Sequence, residues 1–265
     1  MNFLKSTLTT GLLITLSLGF SSVLQAGATA ASIDGRTVMN KVKWREDGDN
    51  RRSNLAITLI EKDGFIRKRQ VSYYEKDYDN DRKTLLYVEQ PADVRATAIL
   101  INSFDEDKNA DDDIWLYLPA LRKVKRLSSK NKQGKFVGSE YIFADMERIR
   151  LADYHYKNLG TEEVQGRPVY KIEANAASDR TTEKTGYSRR LIWVDVERYI
   201  ILRDEFFDAQ GIALKELTTE KVELVSDYWV ATEQTLINHQ SGRKTHLKID
   251  ELVFDQDMPD LLFSK

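Results

Sequence analysis

Apolar residues return at every second position along much of this chain, in short runs separated by very short linkers. No other feature constrains the fold as tightly. A period of two marks a strand with one buried face, whereas a helix repeats every 3.6 residues. Leu55, Ile57 and Leu59 alternate with Ala56, Thr58 and Ile60. Further runs cover residues 85–90, 96–103, 113–118, 190–194 and 198–207. Three long runs finish the chain, at residues 212–225, 228–238 and 244–254. The linkers before and between them are Asp208-Ala209-Gln210-Gly211, Ser226-Asp227 and Ser241-Gly242. Linkers this tight join neighbouring strands antiparallel, and glycine supplies the positive φ that such turns need.

The alternation also sorts the faces. Residues 244–254 place Thr245, Leu247 and Ile249 on one parity and Lys244, His246, Lys248 and Asp250 on the other. One face is solvated and the other must be covered. A membrane-spanning barrel needs an outward face free of charge at mid-membrane. Here charge falls on both parities of several strands, which fits water better than lipid. Helices are few. Residues 32–41 predict a first helix, with Ile33, Val38 and Met39 available to cover a sheet. Residues 139–149 predict a short amphipathic lid helix carrying Tyr141, Ile142, Phe143, Met146 and Ile149. Residues 257–263 fit one terminal turn.

Lys5 is the only charged side chain in the first 33 residues. An apolar stretch over residues 8–23 follows, and then Leu24-Gln25-Ala26-Gly27-Ala28. A short positive region, an apolar region and small residues at a cut are the parts of a secretory signal. The expectation is a cleaved signal peptide at residues 1–26, a single β domain at residues 27–265, and a periplasmic location. Without a cysteine at the cut, no lipid anchor is expected.

Several chemistries find no support. The absence of Cys excludes disulfides, thiolate metal sites and Cys nucleophiles. Forty Lys and Arg against 42 Asp and Glu give a net charge of −2, so there is no global basic field for nucleic acid. There is no phosphate loop, no G-x-S-x-G elbow and no HExxH. His239 and His246 flank a turn and are expected as surface hairpin residues rather than a metal pair. Asp77-x-Asp79-x-Asp81 and Asp105-x-Asp107-x-Asn109 imitate calcium loops but lack the glycine and the closing carboxylate. No cofactor, metal or catalytic residue is expected.

Charge is most uneven between Asp105 and Gly138. An acidic run to Asp113 gives way to Arg122, Lys123, Lys125 and Arg126, with no acidic residue over residues 114–139. This basic loop could attract anionic headgroups or an acidic partner. The same region carries Asp112-Asp113-Ile114-Trp115-Leu116-Tyr117-Leu118-Pro119 and Lys135-Phe136-Val137-Gly138-Ser139-Glu140-Tyr141. A third block joins Trp193-Val194-Asp195, Leu202-Arg203 and Asp208-Ala209-Gln210-Gly211. Together these blocks resemble the outer membrane lipoprotein-sorting proteins, a branch of the LolA/LolB-like superfamily.

The resemblance implies a mainly β fold: an unclosed, strongly curved antiparallel β-barrel with short helices covering its mouth. It also implies a non-enzymatic carrier that holds a lipid or lipoprotein acyl group in an apolar cavity and moves it between envelope membranes. Its partners would be the lipid or acylated cargo and either an inner-membrane RND-type transporter or an outer-membrane acceptor. The alternative is an accessory or docking protein of an RND-type lipid exporter, with a lipid-acting enzyme a third reading. Candidate cavity residues are Ile57, Leu59, Tyr73, Leu100, Trp115, Tyr117, Trp193 and Phe206. Parity alone does not say which face is concave.

Overall fold

A computed structural model describes residues 33–108 and 110–264. The signal segment expected at residues 1–26 lies outside the described residues. Among the described residues, no helix is long and apolar enough to cross a membrane.

Helix α1 (Gly35–Lys43) opens the described chain, two to three residues later than the sequence pattern suggests. The Asp34 side chain accepts from the Thr37 amide at 3.1 Å and so caps its first turn. Gly35 is required by contact, because a Cβ there would lie 2.8 Å from the Asn158 backbone nitrogen.

Six strands follow: β1 (Asn50–Ile60), β2 (Ile66–Tyr78), β3 (Asp81–Gln90), β4 (Ala98–Ser103), β5 (Asp113–Leu118) and β6 (Lys123–Arg126). After an irregular stretch come β7 (Tyr154–Val164) and β8 (Arg167–Ala176), then helix α2 (Asp179–Thr185). The last five are β9 (Arg189–Asp195), β10 (Ile201–Phe207), β11 (Ala213–Val225), β12 (Tyr228–Asn238) and β13 (Lys244–Phe254). All thirteen form one antiparallel sheet in the order β6-β5-β4-β3-β2-β1-β13-β12-β11-β10-β9-β8-β7. The first meander runs outward from β1, and the second runs inward to β13. The β1–β13 pair joins them, while β6 and β7 remain unpaired edges. The sheet is curved and unclosed, as the sequence implied.

Period-two burial identifies the concave face. Leu55, Ile57 and Leu59 of β1 share one core cluster with Val71, Leu86, Val88, Ile99, Ile101 and Ile114. In the second meander Ile172, Ile192 and Val194 pack under Val38 and Met39 of α1. The convex face has smaller clusters of its own. Met258 and Phe263, next to and within a 3₁₀ turn at Asp260–Phe263, cover Leu100 beside Tyr74, Leu85 and Trp115. Among several bulges in the sheet, one reverses the parity of β13. Glu251 adopts φ 51°, and the β1–β13 register shifts between Arg52 and Asn54. Beyond that bulge Leu252 turns inward although its sequence parity matches Lys248 and Asp250.

Three expectations change. Residues 139–149 are not a helix: only Phe143–Met146 make a 3₁₀ turn. An isolated bridge between Lys135 and Ile142 and the Asp145 side chain, which accepts from the Ile142 amide at 2.9 Å, hold the backbone in other conformations. The basic segment is not a free loop, since Lys123, Lys125 and Arg126 lie on edge strand β6 of a hairpin and Arg122 forms its turn at φ 48°. Strands β2, β7 and β8 and helix α2 lie outside the runs that the sequence pattern marks.

Candidate functional site

Edges β6 and β7 are consecutive in the chain, so residues 127–153 must cross from one to the other. They do so as a strap over the concave face. Phe136 and Phe143 insert into the apolar cluster of the first meander. Polar bonds fix the strap to the second. The Glu140 amide donates to Thr245 Oγ1 at 2.8 Å, and Asn238 Nδ2 donates to Glu140 Oε2 at 2.8 Å. Asp145 accepts from Lys215 Nζ at 2.6 Å and from the Tyr187 hydroxyl at 2.7 Å. Lys132 is buried and ion-paired with Glu147. Burial raises the Glu147 carboxyl despite Lys184 and Lys132.

The strap separates two adjoining cavities, beside a wider and more open cleft of about 1050 Å³ that it shares with α2 and the ends of β11 and β12. The larger, of about 380 Å³, lies mainly against β1–β4 and the inward side of β13. The smaller, of about 250 Å³, lies against β9–β12. Tyr141, Asp145, Glu147, Arg148 and Ile149 line both. Burial holds the Tyr141 phenol well above its ordinary pKa, so its hydroxyl remains a donor, yet it has no hydrogen-bond partner among the described residues.

The larger cavity is graded along its strands. Inward positions on β1 run Arg51, Ser53, Leu55, Ile57, and on β3 they run Arg82, Thr84, Leu86. The charged end is densely paired. Arg82 meets both oxygens of Asp47 at 2.9 and 3.0 Å and reaches Asp77 at 2.5 Å and Glu75 at 3.1 Å. Arg51 reaches Glu75 at 2.9 Å. Burial alone would raise the Glu75 carboxyl, but these two guanidinium groups outweigh it and hold it below the usual range. The other end is apolar, with Leu247, Ile249 and Phe136. In the smaller cavity Asp204 is paired with Arg190, and burial still pushes its carboxyl up to about 6.

The candidate cavity residues separate by face. Ile57 and Tyr73 line the larger cavity and Phe206 the smaller. Leu59 is buried in the same concave cluster. Four candidates do not face the interior. Leu100 and Trp115 lie on the convex side near Met258, and Tyr117 shares the parity of Trp115. Trp193 packs with Val169, Ile200 and Leu202 and donates to Glu162 at 2.7 Å, while its neighbours Ile192 and Val194 face α1. Their large apolar side chains suggested a lining role, but the convex clusters use the same residue types. Of the lid candidates, Tyr141, Met146 and Ile149 line the larger cavity, Phe143 is buried in the core, and Ile142 packs near Tyr187, Phe206 and Leu236. Sequence reasoning missed Arg51, Glu75, Arg82 and Arg148. For the three strand residues the only signal was inward parity, where charge reads as solvent exposure, and Arg148 on the irregular strap had none.

Elsewhere, His239 and His246 point to separate carboxylates, Glu216 at 3.7 Å and Glu220 at 3.3 Å. With Glu233, the second pair forms the one group among the described residues whose ligand atoms could surround a metal ion. It lies on the convex face, away from the cavities.

No curated protein matches the chain. A family model, described as that of an uncharacterized protein, matches residues 80–265. Among solved structures, a domain from Vibrio parahaemolyticus named for outer membrane lipoprotein sorting is 31% identical. The match covers 86% of this chain and 95% of that one, with a TM-score of 0.79. A DUF1329 family protein from Desulfovibrio piger is 25% identical over 87% of this chain and 95% of that one, with a TM-score of 0.80. A LolA superfamily protein from Nitrosomonas europaea shares the fold at 21% identity, over 88% and 99% of the two chains, with a TM-score of 0.67. The blocks around Trp115, Phe136 and Trp193, the unclosed sheet and the extent of the first match agree, and the chain belongs to the outer membrane lipoprotein-sorting protein family.

Proposed function

We propose that this protein is a periplasmic, non-enzymatic carrier that takes an acyl group into the larger cavity and passes it between envelope membranes. The observation that carries this reading is the cavity of about 380 Å³ beneath the strap, apolar at one end. Each methylene leaving water contributes about 0.8 kcal/mol, so even about ten would give roughly 8 kcal/mol before ordering costs. A small cavity can therefore hold a chain firmly enough to carry it and weakly enough to release it. The interior carboxylates support binding over catalysis, because Glu75, Asp145 and Glu147 are each engaged by a cation. Family membership supports lipid or acylated protein as cargo.

The basic β5–β6 hairpin supports a second reading, in which the protein docks on an RND-type envelope transporter. Mass spectrometry of organic extracts from protein purified from its native periplasm tests both. Stoichiometric acyl lipid is the expected result. A stable transporter complex without lipid would replace the first reading with the second.

A further inference from the structure

The interior has a direction. Along β1 and β3 it passes from guanidinium groups through hydroxyls to aliphatic side chains. An acyl chain alone would have no use for the charged end. An amphiphile would match both.

The sign of its head follows from which charges are already satisfied. Arg82 and Arg51 are neutralised by Asp47, Asp77 and Glu75. Arg148, on the strap, is different. It lines both cavities and makes no ion pair among the described residues. One terminal nitrogen donates to the Asn80 carbonyl at 3.2 Å, its Nε is buried without a partner, and its guanidinium lies 4.4 Å from the centre of the Trp44 ring. Burial and the nearby Arg82 both disfavour its charge and hold its pKa below the ordinary value. The Tyr141 hydroxyl, on the same strap and lining the same two cavities, is a second unpartnered donor. An unpartnered hydroxyl beside a guanidinium that makes no ion pair and keeps a free Nε donor is complementary to an anion.

Resting on the carrier reading, we infer that the larger cavity takes an amphiphile with an anionic head, carboxylate or phosphate, held by Arg148 and Tyr141, with its chain along Leu55, Ile57 and Leu247. Because both donors belong to the strap, the head bonds to the element that crosses the cavity, and head binding is coupled to strap position.

The test is displacement of N-phenyl-1-naphthylamine from the delipidated mature protein by dodecanoate, dodecanol and dodecyltrimethylammonium, three heads on one chain. Dodecanoate is expected to displace the dye at concentrations about tenfold below dodecanol, the scale of one hydrogen bond to a charged group, with the cation weakest. Arg148→Gln should bring dodecanoate to the level of dodecanol, and continued displacement by dodecanol reports an intact cavity. Tyr141→Phe should lower the preference in part. The wild-type comparison stands even if Arg148→Gln does not fold. Inorganic phosphate alone should not displace the dye, and displacement by it would overturn the inference in favour of a free-anion site. Equal displacement by dodecanoate and dodecanol in the wild type would overturn the anionic head while leaving the carrier reading intact. A preference that survives Arg148→Gln would overturn the role of Arg148. No displacement by any of the three would remove the carrier reading itself.

Discussion

Phe143 and Met146 bound one 3₁₀ turn and have different jobs. Phe143 is 8% exposed and locked into the cluster of Ile57, Leu86 and Ile101. Met146 is only partly buried and lines the larger cavity. Phe143→Ala should therefore cost about 3 kcal/mol of stability, the usual scale for emptying a buried aromatic site. Met146→Asp should cost much less and lower the affinity for a fluorescent fatty acid instead. Urea unfolding and ligand binding on the two variants check this, and the opposite ranking would exchange the two roles. A second 3₁₀ segment of the strap, Ser129–Gln133, shows what one residue's sequence context conceals. Lys132 sits in a run of Lys and Asn that suggests a solvated loop, yet it is buried at 2% exposure against Glu147 and the Asp112 carbonyl. Ion pairing between residues distant in sequence leaves no periodic trace. Periodicity did locate Leu55, Ile57 and Leu59 on one face, but nothing local distinguished their concave side from the convex side that takes Leu100 and Trp193.

At the level of elements, strands β11, β12 and β13 were legible because they are long and their turns are short. Edge strands were harder. Tyr154–Val164 alternates, but its side chains stay largely exposed, so its pattern lacks an apolar stripe. Helix α2 spans only Asp179–Thr185 and is marked by little more than its Ser178 cap and by Gly186 at φ 77°. Edge strand β6 has every residue exposed, with Lys123, Lys125 and Arg126 beside Val124 at 50% exposure. Charge on an edge discourages pairing with another sheet. We expect it also to bring the hairpin to anionic surfaces. Replacing Arg122, Lys123, Lys125 and Arg126 with Gln should weaken binding to vesicles of phosphatidylglycerol. The loss should be larger at low salt, since exposed charges are screened within about 10 Å at roughly 0.1 M. The fold should survive, because only Arg126 makes an ion pair, with Asp113, and it is exposed. Vesicle sedimentation across a salt series measures this, and identical binding by wild type and variant would leave the charge with its edge-protecting role alone.

Across the whole molecule, one sheet runs through the described chain, and the strap ties its two edges. Phe136 packs with β1–β5 while Glu140 and Asp145 bond to β11–β13. With both meanders sharing the strap and the β1–β13 pair, we expect the thirteen strands to unfold as one unit. Far-ultraviolet circular dichroism and tryptophan fluorescence should then give superimposable urea transitions. Separated midpoints would divide the chain into independent parts. The β1–β13 pair also sets an order of assembly. Each meander is built from sequence neighbours and can zip locally, but the central seam places Arg51 opposite Phe254 and needs the whole intervening chain to close. Until β13 arrives, β1 offers a bare edge rich in Leu and Ile. A chain cut short before Lys244 would keep twelve of its strands and still be more than one strand poorer. It would expose two fresh edges at its centre, and those edges would seek each other's copies in neighbouring molecules.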